Sequence, residues 1–133
     1  MLLSLALSLA TQTAPLVVEV RGIAAPPAGN AELIAAGQMT YGARCQMCHG
    51  KDGNADTPVG RAMKPAPRKF SDAAWQAKVG DADIIRAISE GGAAIKKSPA
   101  MPAFKDLSPP AQMTPLVAFI RSLAAPTATV TVM

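Results

Sequence analysis

The sequence contains few of the residues that usually stabilise a small protein or carry out its chemistry. Among its 133 residues there are one histidine, two cysteines and five aromatic side chains. A small domain with so few aromatic side chains usually needs a cross-link, a metal or a cofactor for stability. The two cysteines, Cys45 and Cys48, are too close in sequence to form a loop-closing disulfide. These shortages predict a core that is completed by a bound group.

The same shortages argue against several kinds of site. A structural zinc site needs four protein ligands, and this chain has too few thiolates and imidazoles for one. A redox-active cysteine pair would need alternating strands and helices around it, which the sequence does not indicate. The carboxylates Asp81, Asp83 and Glu90 are predicted at helix ends or on an exposed face, where they form no acid–base pair. We therefore do not expect an enzyme.

A long apolar run is also missing. Residues 1–10 are apolar but too short to cross a bilayer, and they are typical of the apolar region of a secretory signal, with Ser8 and Ala10 at a cleavage site. The positive charges that usually begin a signal are missing, which indicates a truncated or misassigned start, and an uncleaved anchor is a separate alternative. We predict a signal peptide, a periplasmic location and no stable membrane span.

The rest of the chain divides into three parts by composition. Residues 11–30 are punctuated by proline and predict a linker, residues 31–125 predict one domain, and residues 126–133 predict a C-terminal tail. The β-prone stretches 16–20 and 128–132 either pair as a short ribbon, with each other or with another chain, or are two disordered tails.

The domain itself is predicted to be all-α, with three to five helices. The candidate helices run from Ala31 toward Cys45 with Asn30 as cap, from Ala73 through Gln76 after Ser71 or Asp72, from Asp81 or Asp83 to Gly91 with Ile84, Ile85 and Ile88 as apolar stripe, and from Ala111 to Leu123 with Pro115 in the first turn. Residues 50–69 and 93–110 are rich in breakers and predict loops. Helices joined by such long loops would pack poorly as a bundle, whereas the loops could wrap around a large flat cofactor.

One motif indicates which cofactor this is. Cys45-Gln46-Met47-Cys48-His49 is a CxxCH sequence, typical of covalent haem attachment. Two thiols three positions apart can add to the two vinyl groups of one haem, and the next residue can then bind the iron through an imidazole nitrogen. The other ring nitrogen of His49 needs a backbone carbonyl, for which Pro58 is the first candidate. With no second CxxCH, we expect one haem c.

The second axial position of the iron needs a different residue, because His49 is the only histidine. The choices are methionine, lysine, water or no ligand, and methionine is the usual one in cytochromes c. Met101 lies in a proline-stiffened loop before the last helix, whereas Met63 is only 14 residues past His49 and would have to cross the haem quickly. We predict Met101 as the ligand; its alternative role is to fill a gap in the core.

The chain resembles the class I cytochrome c family over about residues 31–124. The matching features are Gly37, Tyr41, the CxxCH motif and Gly50 in the first helix and attachment site, Met101-Pro102 as the axial methionine motif, and residues 116–123 as the C-terminal helix. The resemblance implies a cytochrome c fold in which the two terminal helices cross tightly, with Gly37 and Tyr41 packed against Leu116 and Phe119. It also implies a bacterial monohaem electron carrier whose iron is bound by His49 and Met101.

Three functions are compatible with this resemblance. The first is a single-electron carrier, because an iron with two protein ligands has no open position for bond-breaking chemistry. The second is a haem c subunit of a larger oxidoreductase complex. The third, a gas-binding haem sensor, needs an open iron, and no distal histidine or arginine motif favours it.

The charge of the chain predicts the kind of partner. The net charge is +4, but nucleic-acid motifs and basic runs with interleaved aromatics are absent, so we expect no nucleic acid partner. Seven cations are candidates for contact with a partner, six of them between the two predicted iron ligands and one shortly after Met101: Lys64, Arg68, Lys69, Lys78, Lys96, Lys97 and Lys105. If several surround an exposed haem edge, they would steer acidic redox proteins toward it; otherwise they form an ordinary solvated surface.

Overall fold

The computed structural model describes residues 28–124, which form six α-helices. These are α1 (Ala28–Arg44), α2 (Gln46–His49), α3 (Pro58–Ala62), α4 (Ala73–Lys78), α5 (Asp81–Glu90) and α6 (Pro110–Ser122), with 3₁₀ turns at Ala93–Ile95 and Lys105–Leu107. No strand occurs within residues 28–124, in agreement with the all-α prediction. The predicted signal segment and the two β-prone stretches lie outside the described residues.

Helices α4 and α5 form as predicted. The Asp72 carboxylate caps α4 by accepting a hydrogen bond from the Trp75 N–H at 3.1 Å. Helix α5 buries Ile84 and Ile88 and ends at Gly91. Ile85 was predicted on the same apolar stripe, but it is 37% exposed. It follows Ile84 directly, and adjacent residues of a helix point about 100° apart.

The predicted cap of the first helix is wrong, and so is the predicted place of Pro115 in the first turn of the last helix. Helix α1 is already helical at Ala28, the first described residue and part of the segment predicted as a linker, so Asn30 lies inside the helix and does not cap it. Helix α6 begins at Pro110, whose fixed φ and missing N–H suit the first turn. Pro115 therefore lies inside α6. Pro110 and Pro115 both suit the first turn of a helix, and the sequence pattern alone did not show which of them occupies it.

Helix α3 lies within a stretch that the breaker residues predicted to be entirely loop. The Thr57 hydroxyl accepts a hydrogen bond from the Gly60 N–H at 2.9 Å, and Pro58 occupies the first helical position. Threonine followed by proline is a helix-start signal. It was obscured by the glycines and prolines on both sides. The resulting helix packs on α2.

The two longest helices, α1 and α6, cross in close contact. A Cβ atom added to Gly37 would lie 1.9 Å from the Pro115 carbonyl oxygen and 2.9 Å from the Phe119 Cβ, so only glycine permits this approach. The rings of Tyr41 and Phe119 pack beside the crossing with centroids 4.9 Å apart, and Leu116 is completely buried. The tight crossing implied by the family resemblance is therefore present.

The core lies under this crossing and joins α1, α5 and α6. Its buried side chains are Tyr41, Phe70, Ile84, Ile88, Leu107, Met113, Leu116, Val117, Phe119 and Ile120. Among the described helices, none combines the length and the apolar character needed to cross a membrane. The loops and the shorter helices do not close completely over the core, and the opening between them forms the cavity described next.

Candidate haem site

A cavity of about 920 Å³ lies between the loop that follows α3, helices α4 and α5, and the segment that leads to Met101. Ligand pockets typically enclose roughly 300–1,000 Å³, so this cavity is large for the size of the domain. Its lining is mostly apolar and includes the side chains Phe70, Trp75, Val79, Ile84, Ile88 and Ile95. A large apolar group bound there would complete the small core.

His49 lines this cavity from the end of α2. Its side chain is buried, and its ring stacks on Phe70 with centroids 4.3 Å apart and planes 14° apart. Its Nδ1–H donates to the carbonyl oxygen of Arg68 at 2.9 Å. The prediction that Pro58 supplies this carbonyl is wrong, because the carbonyl belongs to Arg68 and Pro58 instead begins α3. A proton on Nδ1 leaves Nε2 as the nitrogen that can bind a metal.

The pKa values of two residues of the motif, Cys45 and His49, favour uncharged side chains. Burial lowers the pKa of His49, and its hydrogen bond to Arg68 opposes this effect. Burial raises the pKa of the Cys45 thiol to about 11, although the charge of Arg44 opposes the rise. Neutral imidazole is the form that binds metals. Cys45 and Cys48 are both partly buried, and neither is in a disulfide.

The attachment motif, Cys45 to His49, is held by one hydrogen bond at its middle residue and one directly after its end. The Tyr41 hydroxyl donates to the carbonyl oxygen of Gly50 at 2.7 Å, and this contact is buried. Burial also raises the pKa of Tyr41 well above its ordinary value. The Thr57 hydroxyl donates to the carbonyl oxygen of Met47, also at 2.7 Å. Sequence reasoning missed the role of Thr57, which both caps α3 and holds the motif.

Two methionines within residues 28–124 line the cavity, Met63 and Met101. Met39 and Met47 are 79% and 72% exposed and point away from the core, whereas Met113 is buried within it. The structure therefore brings His49 and Met101 to one cavity, with Met63 as a second methionine there. Met63 and Met101 are also the two candidates for the second iron ligand that were compared in the sequence analysis.

The segment that carries Met101 is tied to the end of α5. The Gly92 N–H donates to the carbonyl oxygen of Met101 at 3.0 Å, and the Phe104 N–H donates to that of Ile88 at 2.8 Å. The Met101 N–H donates to the Ser98 carbonyl oxygen at 3.3 Å. Backbone hydrogen bonds thus fix the chain before and after Met101, although the segment contains no α-helix.

Arg44 joins the attachment motif to the chain that follows Met101. Its guanidinium makes two hydrogen bonds with the Asp106 carboxylate, at 2.9 and 3.1 Å, and its Cζ lies 5.1 Å from the centre of the Phe104 ring. The hydrogen bond to Arg44 holds the pKa of Asp106 below its usual range. The pair is exposed, so its contribution is mainly to orientation rather than to stability.

Charged side chains surround the cavity unevenly. Six cations line it, Arg68, Lys69, Lys78, Arg86, Lys96 and Lys97, against two carboxylates, Asp72 and Asp83. Five of these cations were among the seven predicted from the sequence, and Arg86 is additional. Lys64 and Lys105 do not line the cavity. The guanidinium of Arg68 lies over Trp75, 5.3 Å from the ring centre.

The residues present fit a covalently attached haem. Two unpaired cysteines stand directly before the buried imidazole, whose tautomer is fixed by a backbone carbonyl as for a metal-binding histidine. A mostly apolar cavity adjoins this imidazole and also contains thioether sulfurs. Each of these requirements of haem c ligation is met by residues of this chain.

Comparison with known proteins agrees with this fit. Residues 32–120 match the family model described as cytochrome C oxidase, cbb3-type, subunit III. Among solved structures, the KustC0563 c-type cytochrome is 38% identical in sequence and superposes with a TM-score of 0.55, with 66% of this chain and 96% of that chain covered. No curated protein matches the chain. The family match extends from α1 into α6 and so includes the whole cavity.

Proposed function

Because the chain belongs to the family of cytochrome C oxidase, cbb3-type, subunit III, and is thus a class I c-type cytochrome, we propose that it carries single electrons on one haem c. In this proposal the thiols of Cys45 and Cys48 hold the haem covalently, and His49 and Met101 bind its iron. The observation that carries the proposal is the cavity lined by both His49 and Met101.

Each part of the site has a definite role in such a carrier. Haem supplies the one-electron ferrous–ferric couple when bound. The Arg68 carbonyl orients the imidazole of His49 and keeps Nε2 unprotonated. The soft thioether of Met101 favours the ferrous state and raises the potential, as does the exclusion of water by the apolar lining. With His49 and Met101 both bound, the iron would have no open position for substrate, which favours electron transfer over bond-breaking chemistry.

The choice of Met101 over Met63 is supported by the positions of the two segments. Met63 directly follows α3, which packs on α2, the helix that carries His49. The chain that continues from Met63 then supplies the Arg68 carbonyl to the same imidazole. Met63 is therefore part of the segment that supports His49, whereas Met101 enters the cavity from the separate segment between α5 and α6.

The proposed ligation is tested by comparing Met101→Ala with the matched variant Met63→Ala. Visible and near-infrared spectra of the haem-loaded protein are recorded in both oxidation states, with and without carbon monoxide, together with the reduction potential. We expect Met101→Ala to lose the weak near-infrared methionine–iron band, bind carbon monoxide and have a lower potential. Met63→Ala should behave as wild type. The opposite result, or no change in either variant, would refute Met101 as the ligand.

The description of the family favours a second candidate role, a haem c subunit within a larger oxidase complex. The two roles share the same haem site and differ in what binds the protein. Native extracts separated by size distinguish them: a free carrier elutes at the size of the single chain, whereas a subunit elutes with the complex.

The kind of partner and the location of the protein are also proposals. The excess of cations around the cavity supports docking of redox proteins with acidic surfaces. Proteins of the c-type cytochrome class are generally extracytoplasmic, and we propose the periplasm for this one. Fractionation of the source cells, followed by haem staining, tests the location; haem protein found only in the cytoplasm would contradict it.

A further inference from the structure

Gly92 is hydrogen-bonded to both ends of the segment that leads to Met101. Its N–H donates to the Met101 carbonyl oxygen at 3.0 Å. Its own carbonyl oxygen accepts from the Lys97 N–H at 2.8 Å. A single residue, which directly follows the Gly91 cap of α5, therefore fixes where this loop begins and where the methionine lies.

The space at Gly92 is too small for any side chain. A Cβ atom there would lie 2.0 Å from the Ser98 carbonyl oxygen and 3.3 Å from the Met101 Cβ. The backbone has φ −65° and ψ −38°, a conformation that every L-residue adopts readily. Glycine is thus required for close packing of the loop and not for backbone conformation.

The contact with Ser98 is to backbone, which cannot rotate away as a flexible side chain can. An added methyl group must therefore move the Ser98 to Met101 segment or the end of α5. Helix α5 is the less movable of the two, because Ile84 and Ile88 are buried in the core. The loop is expected to move, and Met101 with it.

We propose that Gly92 is a positioning residue for the second axial ligand: its lack of a side chain lets the loop pack close enough for the Met101 sulfur to reach the iron. The inference rests on the proposed function, because ligation by Met101 is itself part of that proposal. Gly92 also lines the cavity, but the role proposed for it is exerted through the position of Met101.

The test compares Gly92→Ala with Gly42→Ala in haem-loaded protein. Gly42 is a suitable control because it also lies in helical backbone, while the nearest atom to an added Cβ is 3.7 Å away, at the Gln46 side chain. We expect Gly92→Ala to lose at least half of the methionine–iron band, to bind carbon monoxide and to have a lower potential. Gly42→Ala should keep all three wild-type properties. Retention of the full band in Gly92→Ala would overturn the inference.

A double variant separates positioning from general loosening of the fold. In a Met101→Ala background the sulfur that Gly92 is proposed to position is absent, so adding Gly92→Ala should leave the carbon monoxide affinity unchanged. A change as large as that seen with Met101 present would mean that the glycine acts on the haem pocket in general, and the inference would be wrong.

One measurement needs no variant and so remains available if Gly92→Ala does not fold. In the haem-loaded wild type, the Gly92 amide hydrogen should exchange at least about tenfold more slowly than an unprotected amide, because it is bonded to Met101. Exchange at the unprotected rate would overturn the inference. If the wild type itself lacks the methionine–iron band, the proposed function fails; if it has the band and Gly92→Ala keeps it, only this inference fails.

Discussion

Tyr41 connects the first long helix to the end of the attachment motif. Its hydroxyl donates to the Gly50 carbonyl oxygen at 2.7 Å in a buried contact. The same oxygen also accepts from the Gly53 N–H at 3.1 Å. Removing the hydroxyl would therefore leave the carbonyl with a partner, and the loss is that of one hydrogen bond rather than of an unsatisfied buried group.

We therefore expect Tyr41→Phe to lower the free energy of unfolding by about 1 kcal/mol. Denaturant unfolding of the haem-loaded protein, followed by circular dichroism, measures this difference. The absorption spectrum should not change, because the ring and its packing against Phe119 remain. A loss of several kcal/mol, or a shifted spectrum, would mean that the hydroxyl has a role in haem binding beyond this bond.

At the residue scale, side-chain chemistry could be predicted and backbone partners could not. The CxxCH motif and the spacing of the methionines direct attention to His49 and Met101, which the structure brings to one cavity. The carbonyl that orients His49 belongs to Arg68. Every residue has a carbonyl, so no residue type marks this partner, and only the path of the chain after α3 determines it.

At the scale of elements, the α1–α6 crossing depends on a single absent side chain. An alanine at Gly37 would place its Cβ 1.9 Å from the Pro115 carbonyl oxygen. Because this neighbour is backbone, the helices must separate. We expect Gly37→Ala to lower the free energy of unfolding by about 3 kcal/mol or more, at the upper end of overpacking effects. Unfolding in guanidinium chloride measures the loss.

Gly42→Ala, in the same helix, is the matched control for Gly37→Ala. Its added Cβ meets only the Gln46 side chain, at an ordinary contact distance of 3.7 Å, and alanine is the better helix former, so stability should stay the same or rise by about 0.5–1 kcal/mol. If the two variants behaved alike, the effect would come from helix propensity and not from the crossing. Equal losses in both would contradict the proposed role of Gly37.

The helices could be predicted where one local signal dominated. Asp72 and Gly91 mark the start of α4 and the end of α5, and both act as predicted. The Thr57-Pro58 start of α3 was masked by the surrounding breakers, although its chemistry is ordinary. Short helices gain most of their stability from tertiary packing. The packing of α3 on α2 therefore outweighs the tendency of the flanking residues to form a loop.

At the scale of the whole molecule, the position of the charges matters more than their number. The chain carries a net charge of +4. The side chains lining the cavity, six cations and two carboxylates, also have a local excess of four positive charges. Composition predicts the total but not this concentration around one opening, because the cations come from segments that meet only in the folded chain. Local charge of this kind raises the rate of encounter with anions.

Charge reversal on this surface is expected to slow electron transfer to a small anionic oxidant. Lys97 lines the cavity, and Lys97→Glu would lower the local excess from four charges to two. We expect the rate of oxidation by hexacyanoferrate(III) at low ionic strength to fall about threefold, with a weaker dependence on salt.

The matched control is Lys51→Glu, at an exposed position that does not line the cavity. It makes the same change in total charge and should slow the reaction less. Both variants should keep the methionine–iron band, so that a slower reaction reports encounter and not a changed iron. Equal rates in the two variants would show that only the total charge matters, and the cations around the cavity would then be an ordinary solvated surface.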